Sequence, residues 1–513
     1  MNRLPRFAIP GAALLAAAVL AGCCPTPPKA TTPIAETPPV ETPPVETPPV
    51  VDAPPTVAWE SSGVAWDEPP PPLPEVAFTP PIPIEFTMPN GIRVLVVENH
   101  RLPLVSVRIA VASAGSRADG ARAGLAALTA DLLDEGAGKR TALELPEELE
   151  RLGASLTVGA GTDHAQLTLD TMAATLPGAL AVTADVLLRP TFAAADVTRV
   201  KAEHLADLAT RGDQPTAIAR LVFARMIYGA HPYGNSVDGT TASVTPLTRA
   251  DVQAFWKRSY GPAATTIVIV GDVTVDAARA LLTKSLGGWR NKVALAKAPP
   301  AAAPTAPTLG FVDRPGAPQS VVVIGRLGPD VRDPMLAARD LINTAVGGSF
   351  ASRLNSVLRE QKGYTYGISS TFVRSPWGGA WRATSQVRTD ATALAITDAL
   401  AILADTATEP MPAVELAKAK ALMIRGLPQD FETNAGIAGQ YLGAVLDGRP
   451  LTYFRDLPGQ LAAVTAESAR DGAATAWRDL SIVVVGDWAV IGADVTKLGL
   501  PIVRYDVDGN RGN

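Results

Sequence analysis

Cysteine and histidine, the side chains that most often carry metal or nucleophilic chemistry, are scarce in this 513-residue chain. Both cysteines lie at the extreme N-terminus, so the predicted folded part offers no thiolate ligand, thiol nucleophile or disulfide. No two histidines have the i, i+4 spacing that puts two imidazoles on one helical face, and none lies in a recognisable Gly-x-Ser-x-Gly context. The histidines are His100, His164, His204 and His231.

The N-terminus has the pattern of an export signal. Residues 1–22 carry Arg3 and Arg6 near their start and continue into an apolar run. They end just before Cys23, in a Leu-Ala-Gly-Cys sequence that resembles the bacterial lipobox. Cys23 is therefore the expected lipidation site, and the alternatives are a plain signal peptide or a short membrane anchor. The apolar run is too short and too interrupted by Gly and Pro for a good membrane span. No Asp follows Cys23 directly, which favours the outer membrane.

Residues 23–83 predict a tether between the lipid anchor and the folded part. They repeat Glu-Thr-Pro-Pro-Val and contain an unbroken run of prolines at 69–72. Proline fixes φ and removes a backbone donor, so an extended polyproline-like spacer or simple disorder is expected. The formal charge of the whole chain is only -5, which gives no reason to expect a nucleic-acid partner.

Two stretches of similar element order follow the tether. The first, over 84–294, contains alternating β-branched runs and leucine-spaced helices, and its patterns predict one helix over 121–135 and one strand over 157–169. An Ala/Pro-rich linker over 295–307 separates it from the second, over 308–505. The prediction is two tandem α+β domains, and an internal duplication is consistent with their similar order.

Several short motifs are distributed along both stretches. In the first they are Gly115-Ser116-Arg117, Gly124 to Asp131, Tyr228-Gly229, His231-Pro232-Tyr233-Gly234 and Gly271-Asp272, and in the second Gly347-Gly348, Ser352-Arg353-Leu354 and Leu358 to Tyr366. Together these motifs resemble the pitrilysin, insulinase and mitochondrial processing peptidase family over roughly 84–500. The resemblance implies two similar α/β-roll domains, each with a mixed, mostly antiparallel sheet and helices on one face.

The resemblance fails at the residues that hold zinc. Active members of the family carry His-x-x-Glu-His on the first helix, where two imidazoles bind one zinc ion and the glutamate activates the bound water. A distant glutamate supplies the third ligand. The corresponding positions here are Ala127, Ala130, Asp131 and, for the third ligand, Asp207. The sequence therefore predicts no metal site and no cofactor in this chain.

The sequence leaves one alternative metal site open, near His204. His204 lies one helical turn from Asp207, so a makeshift His/Asp site that includes Asp131 can be drawn. An ordinary exposed or half-buried helix position is the preferred interpretation of His204.

A second family feature is present. In the C-terminal domain of the family an Arg and a Tyr seven residues apart help to hold the substrate backbone and the developing oxyanion, and Arg359 and Tyr366 have this spacing. The resemblance thus implies a substrate-binding role for both. Without it, Arg359 reads as a helix-end cation and Tyr366 as an ordinary strand residue.

These observations favour a non-catalytic, substrate-clamping subunit of a heteromeric zinc peptidase in the bacterial cell envelope. The expected partners are a paralogous subunit that carries the zinc, peptide substrates, and a membrane reached through the lipid anchor. The alternatives are a non-enzymatic scaffold or peptide-binding lipoprotein, and a self-sufficient metallopeptidase with an unorthodox site.

Overall fold

The computed structural model describes residues 78–294, 300–301 and 306–512. The predicted signal peptide (1–22), the lipidation site Cys23, nearly all of the tether (23–83) and most of the linker (295–307) lie outside the described residues. The described residues therefore consist mainly of the two stretches of similar element order.

The strands in the described residues are β1 Ile84–Thr87, β2 Arg93–Glu98, β3 Leu104–Val111, β4 Ser155–Ala160, β5 Ala165–Met172, β6 Thr265–Gly271, β7 Leu309–Asp313, β8 Gln319–Gly328, β9 Thr365–Val373, β10 Gly379–Arg388, β11 Ser481–Gly486 and β12 Ile502–Arg504. The α-helices are α1 Leu125–Asp131, α2 Glu144–Arg151, α3 Leu176–Leu188, α4 Ala194–Arg211, α5 Pro215–Tyr228, α6 Thr241–Val244, α7 Arg249–Ser259, α8 Val275–Leu286, α9 Leu336–Asn343, α10 Arg353–Asn355, α11 Thr392–Thr408, α12 Ala413–Gly426, α13 Asn434–Leu446, α14 Tyr453–Ala462, α15 Ala466–Ala476 and α16 Trp488–Thr496. Two π-helical segments, Thr344–Gly348 and Ser356–Gln361, follow α9 and α10.

The strands form two six-stranded sheets with closely similar topology. The first has the order β1-β2-β6-β3-β5-β4 and the second β12-β7-β11-β8-β10-β9. In each, the second pairing, β2–β6 or β7–β11, is parallel and the next three pairings are antiparallel. The first pairing differs, being antiparallel for β1–β2 and parallel for β12–β7. The shared order confirms the predicted fold class, two tandem α+β domains with mixed, mostly antiparallel sheets.

Each sheet buries one face against helices from its own half of the chain. In the first half the core joins β3 and β6 to buried side chains of α1, α3 and α7, including Leu128, Leu180 and Phe255. In the second half α9, α11 and α15 do the same around Trp381. Helix α11 with the turn before it, Thr389–Thr408, is long and apolar enough to cross a membrane. Because its Ile396 and Leu403 lie in the second core, it is explained as a core helix.

The opposite face of each sheet is covered by one helix from the other half. Helix α5 packs Val222 and Phe223 against β8 and β11 of the second sheet, and α13 packs Tyr441 and Leu442 against β3 and β6 of the first. The predicted arrangement, with helices on one face of each sheet, is therefore incomplete. Each sheet has helices of its own half on one face and one helix of the other half on the opposite face. The halves are interlocked through apolar surface that neither could bury alone.

Two local predictions were wrong in their extents. The helix expected over 121–135 is only Leu125–Asp131, because Gly124 takes a left-handed φ of 96° before it and the chain leaves the helix at Leu132. The strand expected over 157–169 is instead the hairpin β4–β5, with Gly161 N–H bonded to His164 O across the turn at 2.8 Å. Both errors arise from short turns placed inside apolar, regularly patterned sequence.

Candidate functional site

The helix that aligns with the zinc motif is a buried structural element. Ala127 is 5% exposed and Ala130 is fully buried, and their methyl groups provide no lone pair for a metal. The carboxylate of Asp119 accepts hydrogen bonds from Gly124 N at 2.9 Å and Ala126 N at 2.8 Å, which fixes the start of α1. Burial raises the pKa of Asp119 to about 7, although the amides of Ala126 and Gly124 lower it. Sequence reasoning missed this residue, whose only signal is an Asp shortly before a buried helix.

His204, on α4, occupies the space beside Asp131. Its Nδ1 lies 3.3 Å from Asp131 Oδ2 and its Nε2 lies 2.8 Å from the carbonyl oxygen of Asp238. Both neighbours are acceptors, so both ring nitrogens must donate, which is possible only in the protonated ring. Burial lowers the pKa of His204, but the bonds to Asp131 and Asp238 outweigh this and the pKa is raised overall. His204 is buried, not exposed or half-buried.

The side chains near the zinc positions that could donate to a metal are those of Asp131, His204 and Asp207. A protonated imidazole whose two N–H groups are both engaged has no lone pair left for a metal. Asp207 is exposed on α4, and Asp131 contacts His204. Within the described part of the chain, no group of three or more His, Cys, Asp or Glu side chains is arranged to hold a metal ion. The donor set does not fit zinc.

Arg359 and Tyr366 lie in the second half, on the π-helical segment Ser356–Gln361 and on β9. The guanidinium carbon of Arg359 lies 4.2 Å from the ring centroid of Phe350, a cation–π contact that orients the cation. Phe350 is 68% exposed and Tyr366 is 90% exposed. Neither ring stabilises the fold by burial, so both are available to a ligand. The sequence signal that could have revealed Phe350 is an aromatic residue directly after Gly-Gly-Ser.

An irregularity in β9 accompanies the exposure of Tyr366. The pairing of β10 with β9 shifts between Ser385, opposite Ile368, and Val387, opposite Thr365. Two residues of β9, Tyr366 and Gly367, therefore stand opposite Gln386 alone, which is a β-bulge. A bulge locally interrupts the alternation that would have turned Tyr366 towards the core, as it turns Ile368.

The buried Asn355 and the half-buried Arg353 hold the Arg359 segment against the edge strand β9 and helix α12, respectively. Asn355 donates from Nδ2 to Ile368 O at 2.9 Å and accepts at Oδ1 from Ile368 N at 3.0 Å. Arg353 forms a two-bond ion pair with Glu415 of α12, with both distances 2.7 Å. The first contact replaces a neighbouring strand at one point of the sheet edge. Asn355 was missed by sequence reasoning because its partner is a backbone group.

An open cavity of about 510 Å³ adjoins this segment. Ser356 and Val357, from the segment that carries Arg359, form one part of its wall, and helix α12 contributes Val414 and Leu422. Val414 is 83% exposed and gives the cavity an apolar part, while Asp405, Glu415 and Lys418 add charged groups to its lining. The cavity is of a size that accepts side chains of a bound ligand.

The fold and site define a two-domain, metallopeptidase-like protein whose zinc positions are filled by groups that do not bind zinc. The family model for Insulinase (Peptidase family M16) matches residues 93–241, and that for the Peptidase M16 inactive domain matches residues 246–423. The chain belongs to peptidase family M16, which confirms the resemblance seen in the sequence motifs.

Solved structures and curated proteins agree with this assignment. The crystal structure of a peptidase M16 inactive domain from Pseudomonas fluorescens is 30% identical, with a TM-score of 0.75, covering 79% of this chain and 98% of that chain. An uncharacterised zinc protease of Mycobacterium bovis is 30% identical over 293 residues, 56% of this chain and 66% of the relative's length. A Helicobacter pylori protein named non-peptidase homolog YmxG is 24% identical over 77% of this chain and 91% of its own.

Proposed function

We propose that this chain is the non-catalytic, substrate-clamping subunit of a heteromeric zinc peptidase. The observation that carries the proposal is the state of its two sites. The zinc positions hold two alanines beside a buried His204–Asp131 pair, whereas Tyr366 is 90% exposed and Arg359 is oriented by Phe350. A family member that lacks zinc ligands but keeps an exposed Tyr366 and a half-buried, oriented Arg359 is suited to holding substrate.

The chemistry of the two side chains suits a peptide backbone. The guanidinium of Arg359 offers several N–H donors in a fixed plane, and the phenol of Tyr366 donates to a carbonyl or oxyanion. Placed opposite a zinc-bound water in a partner, such donors would stabilise the charge that develops on the scissile carbonyl oxygen. The zinc, and the base that activates its water, would belong to the partner alone.

The names of the relatives are consistent with a division of roles within the family. One relative is called a zinc protease and another a non-peptidase homologue. The complex proposed here would join one chain of each kind. Its substrates would be unfolded peptides, because two hydrogen-bond donors beside a sheet edge can hold an extended backbone.

The proposal is tested by reconstitution. The full-length chain is mixed with a family M16 protein that retains His-x-x-Glu-His, with a neighbouring gene as the first candidate, and unfolded peptides are supplied as substrate. We expect the two proteins to co-purify and to cleave peptides only together. If the zinc-bearing protein cleaves equally well alone and does not bind this chain, the proposal is wrong.

A second candidate function is a peptide-binding lipoprotein that has no proteolytic partner. The partly apolar cavity beside the segment that carries Arg359 favours it, because such a cavity could anchor a peptide side chain without any cleavage. Stable peptide binding with no partner in the native membrane would support this function. The third possibility, a self-sufficient metallopeptidase, is disfavoured because both nitrogens of His204 are already engaged.

The place of action is proposed from the N-terminal sequence. Lipidation at Cys23 and the Pro-rich segment after it would hold the folded part in the cell envelope, most simply on the outer membrane and facing the periplasm. Replacing Cys23 by Ser should release the protein from the membrane fraction. Retention of that variant in the membrane would contradict the lipid anchor.

A further inference from the structure

Helix α5 covers β8 and β11, and near its two ends it is hydrogen-bonded to the neighbouring strand β10 and to the residue that precedes β10. Gln386 Nε2 donates to Thr216 Oγ1 at 3.3 Å, and the hydroxyl of Tyr228 donates to the carbonyl oxygen of Gly378 at 3.2 Å. Thr216, Arg220 and Tyr228 are four and then eight residues apart, so they lie on one face of the helix. The surface between α5 and β10 that these two contacts bound, here called the groove, therefore has a defined geometry.

Two arginines occupy the groove between the fixed points. Arg382 is two residues from Ala380 and four from Gln386 on β10. Because successive side chains of a strand point to opposite faces, all three lie on the same outer face. Ala380 belongs to the core that α5 covers. Burial lowers the pKa of Arg382, and so does the nearby charge of Arg220, while Tyr228 opposes the change. Arg220 lies one turn beyond Thr216, which contacts Gln386 of β10, so the two guanidinium groups face a common space.

These arginines have no carboxylate to neutralise them. Among residues 78–294, 300–301 and 306–512, neither Arg220 nor Arg382 forms an ion pair or hydrogen bond, and no carboxylate influences the pKa of Arg382. Three other arginines with largely buried side chains are paired with carboxylates, at 3.1 Å for Arg108–Asp170, 2.6 Å for Arg339–Asp333 and 2.6 Å for Arg374–Asp340. Arg258 and Arg326 have no such pair, but both donate to backbone carbonyl oxygens. Arg382 is half-buried and Arg220 is exposed, so the cost of an uncompensated charge falls mainly on Arg382, and an anionic ligand would offset it.

The groove continues from the bulge that exposes Tyr366. Tyr366 and Gly367 stand opposite Gln386, and Arg382 lies four residues further along β10. At the rise of an extended strand this separation is about 13 Å. A peptide in contact with Tyr366 could therefore reach the arginines with a residue roughly four positions away.

We propose that Arg220 and Arg382 form an anion-binding subsite that accepts a carboxylate of the bound peptide. The carboxylate is either an acidic side chain or the C-terminus, placed about four residues from the residue in contact with Tyr366. Paired guanidinium groups bind carboxylates through charge-assisted hydrogen bonds. This inference rests on the proposed function, since it makes acidic peptides the preferred ligands of the clamp.

The test measures peptide binding by the purified full-length chain without a zinc-bearing partner. Fluorescent, neutral, extended peptides carry Glu or Gln at one internal position, scanned along the peptide, and end in a free carboxylate or an amide. We expect one Glu position, or the free C-terminus, to strengthen binding about tenfold at low salt. The Glu and C-terminal series distinguish the two sources of the carboxylate. Equal affinity of the wild-type chain for all charged and neutral versions overturns the subsite.

Variants assign the effect to the two arginines. Arg382→Gln and, separately, the more exposed Arg220→Gln should each reduce the preference to less than about twofold, with the melting temperature checked for each. Arg151→Gln, an equal charge change on α2 of the first half, should leave the preference intact. Persistence of the full preference in both site variants overturns the inference.

The same measurement separates failure of the subsite from failure of the clamp. Peptide binding that depends on Tyr366 but ignores peptide charge removes the anion-binding subsite and leaves the proposed clamp standing. No peptide binding by the wild-type chain overturns both.

Discussion

The imidazole of His204 lies 3.3 Å from the carboxylate of Asp131, at the place where active relatives build a zinc site. With its other nitrogen on the carbonyl of Asp238, the ring carries positive charge next to Asp131. The positive charge next to the Asp131 carboxylate is thus supplied by His204 instead of a metal ion. This pair explains how α1 and α4 stay joined without metal.

The pH dependence of stability should report the His204–Asp131 pair. Because the pKa of His204 is raised in the folded state, its contribution is fully present below the unfolded pKa of about 6.5 and is lost as pH rises through the folded pKa. The free energy of unfolding of the wild type minus that of His204→Gln should therefore decrease from pH 6 towards pH 9. Urea unfolding at several pH values measures it.

His100 provides the control for this experiment. Its ring also contacts carboxylates, at 2.7 Å from Asp272, but it is exposed to solvent. We expect His100→Gln to change stability little at any of these pH values because water screens the contact. A difference for His204→Gln that is constant with pH would contradict the charged state of His204.

Removal of metal should leave the protein unchanged. Since the donor set around Ala127, Asp131 and His204 does not fit zinc, we expect less than stoichiometric zinc in the purified chain by elemental analysis. Prolonged treatment with a chelator should also leave the melting temperature where it was. A bound zinc whose removal lowers the melting temperature by several degrees would contradict this account, because a structural metal contributes directly to folding.

Asn355 is expected to be a positioning residue for the clamp. Asn355→Leu keeps the size of the side chain but leaves the buried N–H and C=O of Ile368 without partners, which should cost roughly 1–3 kcal/mol of stability. Peptide affinity should also decrease, because the Arg359 segment is no longer held on β9. Asn510→Leu, at an exposed position, is the matched control. Unchanged stability and affinity in Asn355→Leu would refute the role.

The exchange of α5 and α13 between the halves should make them unfold together. We expect one calorimetric transition for residues 78–512, and Phe223→Ala, which truncates a side chain that is 2% exposed, should shift the whole transition. A cost of about 3–5 kcal/mol is typical of such a substitution. Two separate transitions, of which Phe223→Ala moves only one, would contradict the interlocked arrangement.

The sequence predicts the periodic parts of this fold well and the exchange between halves poorly. Strand β11 and helices α11 and α12 follow from local hydrophobic patterns, because a strand or helix repeats its contacts at a fixed spacing. That α5 covers the second sheet does not follow from local pattern, since its apolar face would suit either sheet equally. Such a long-range choice depends on where the two sheets lie in space.

The candidate site divides in the same way. The loss of zinc ligands at Ala127 and Ala130 is readable from the sequence because the spacing of the motif is local. The pairing of His204 with Asp131, and the support that Asn355 gives to β9, depend on contacts that only the folded chain brings about. The cation–π contact of Arg359 with Phe350 likewise joins a π-helical segment to a turn, and no local sequence pattern predicts it.

The most direct test of the clamp is the turnover of the reconstituted complex when Arg359 or Tyr366 is changed. Tyr366→Phe removes one hydroxyl from an exposed side chain, so the fold and the association with the zinc-bearing subunit should persist. We expect Tyr366→Phe and Arg359→Gln each to lower kcat/KM for peptide cleavage by about tenfold or more, while Asn510→Leu leaves it unchanged. Full turnover in both clamp variants, with the complex intact, would contradict the account.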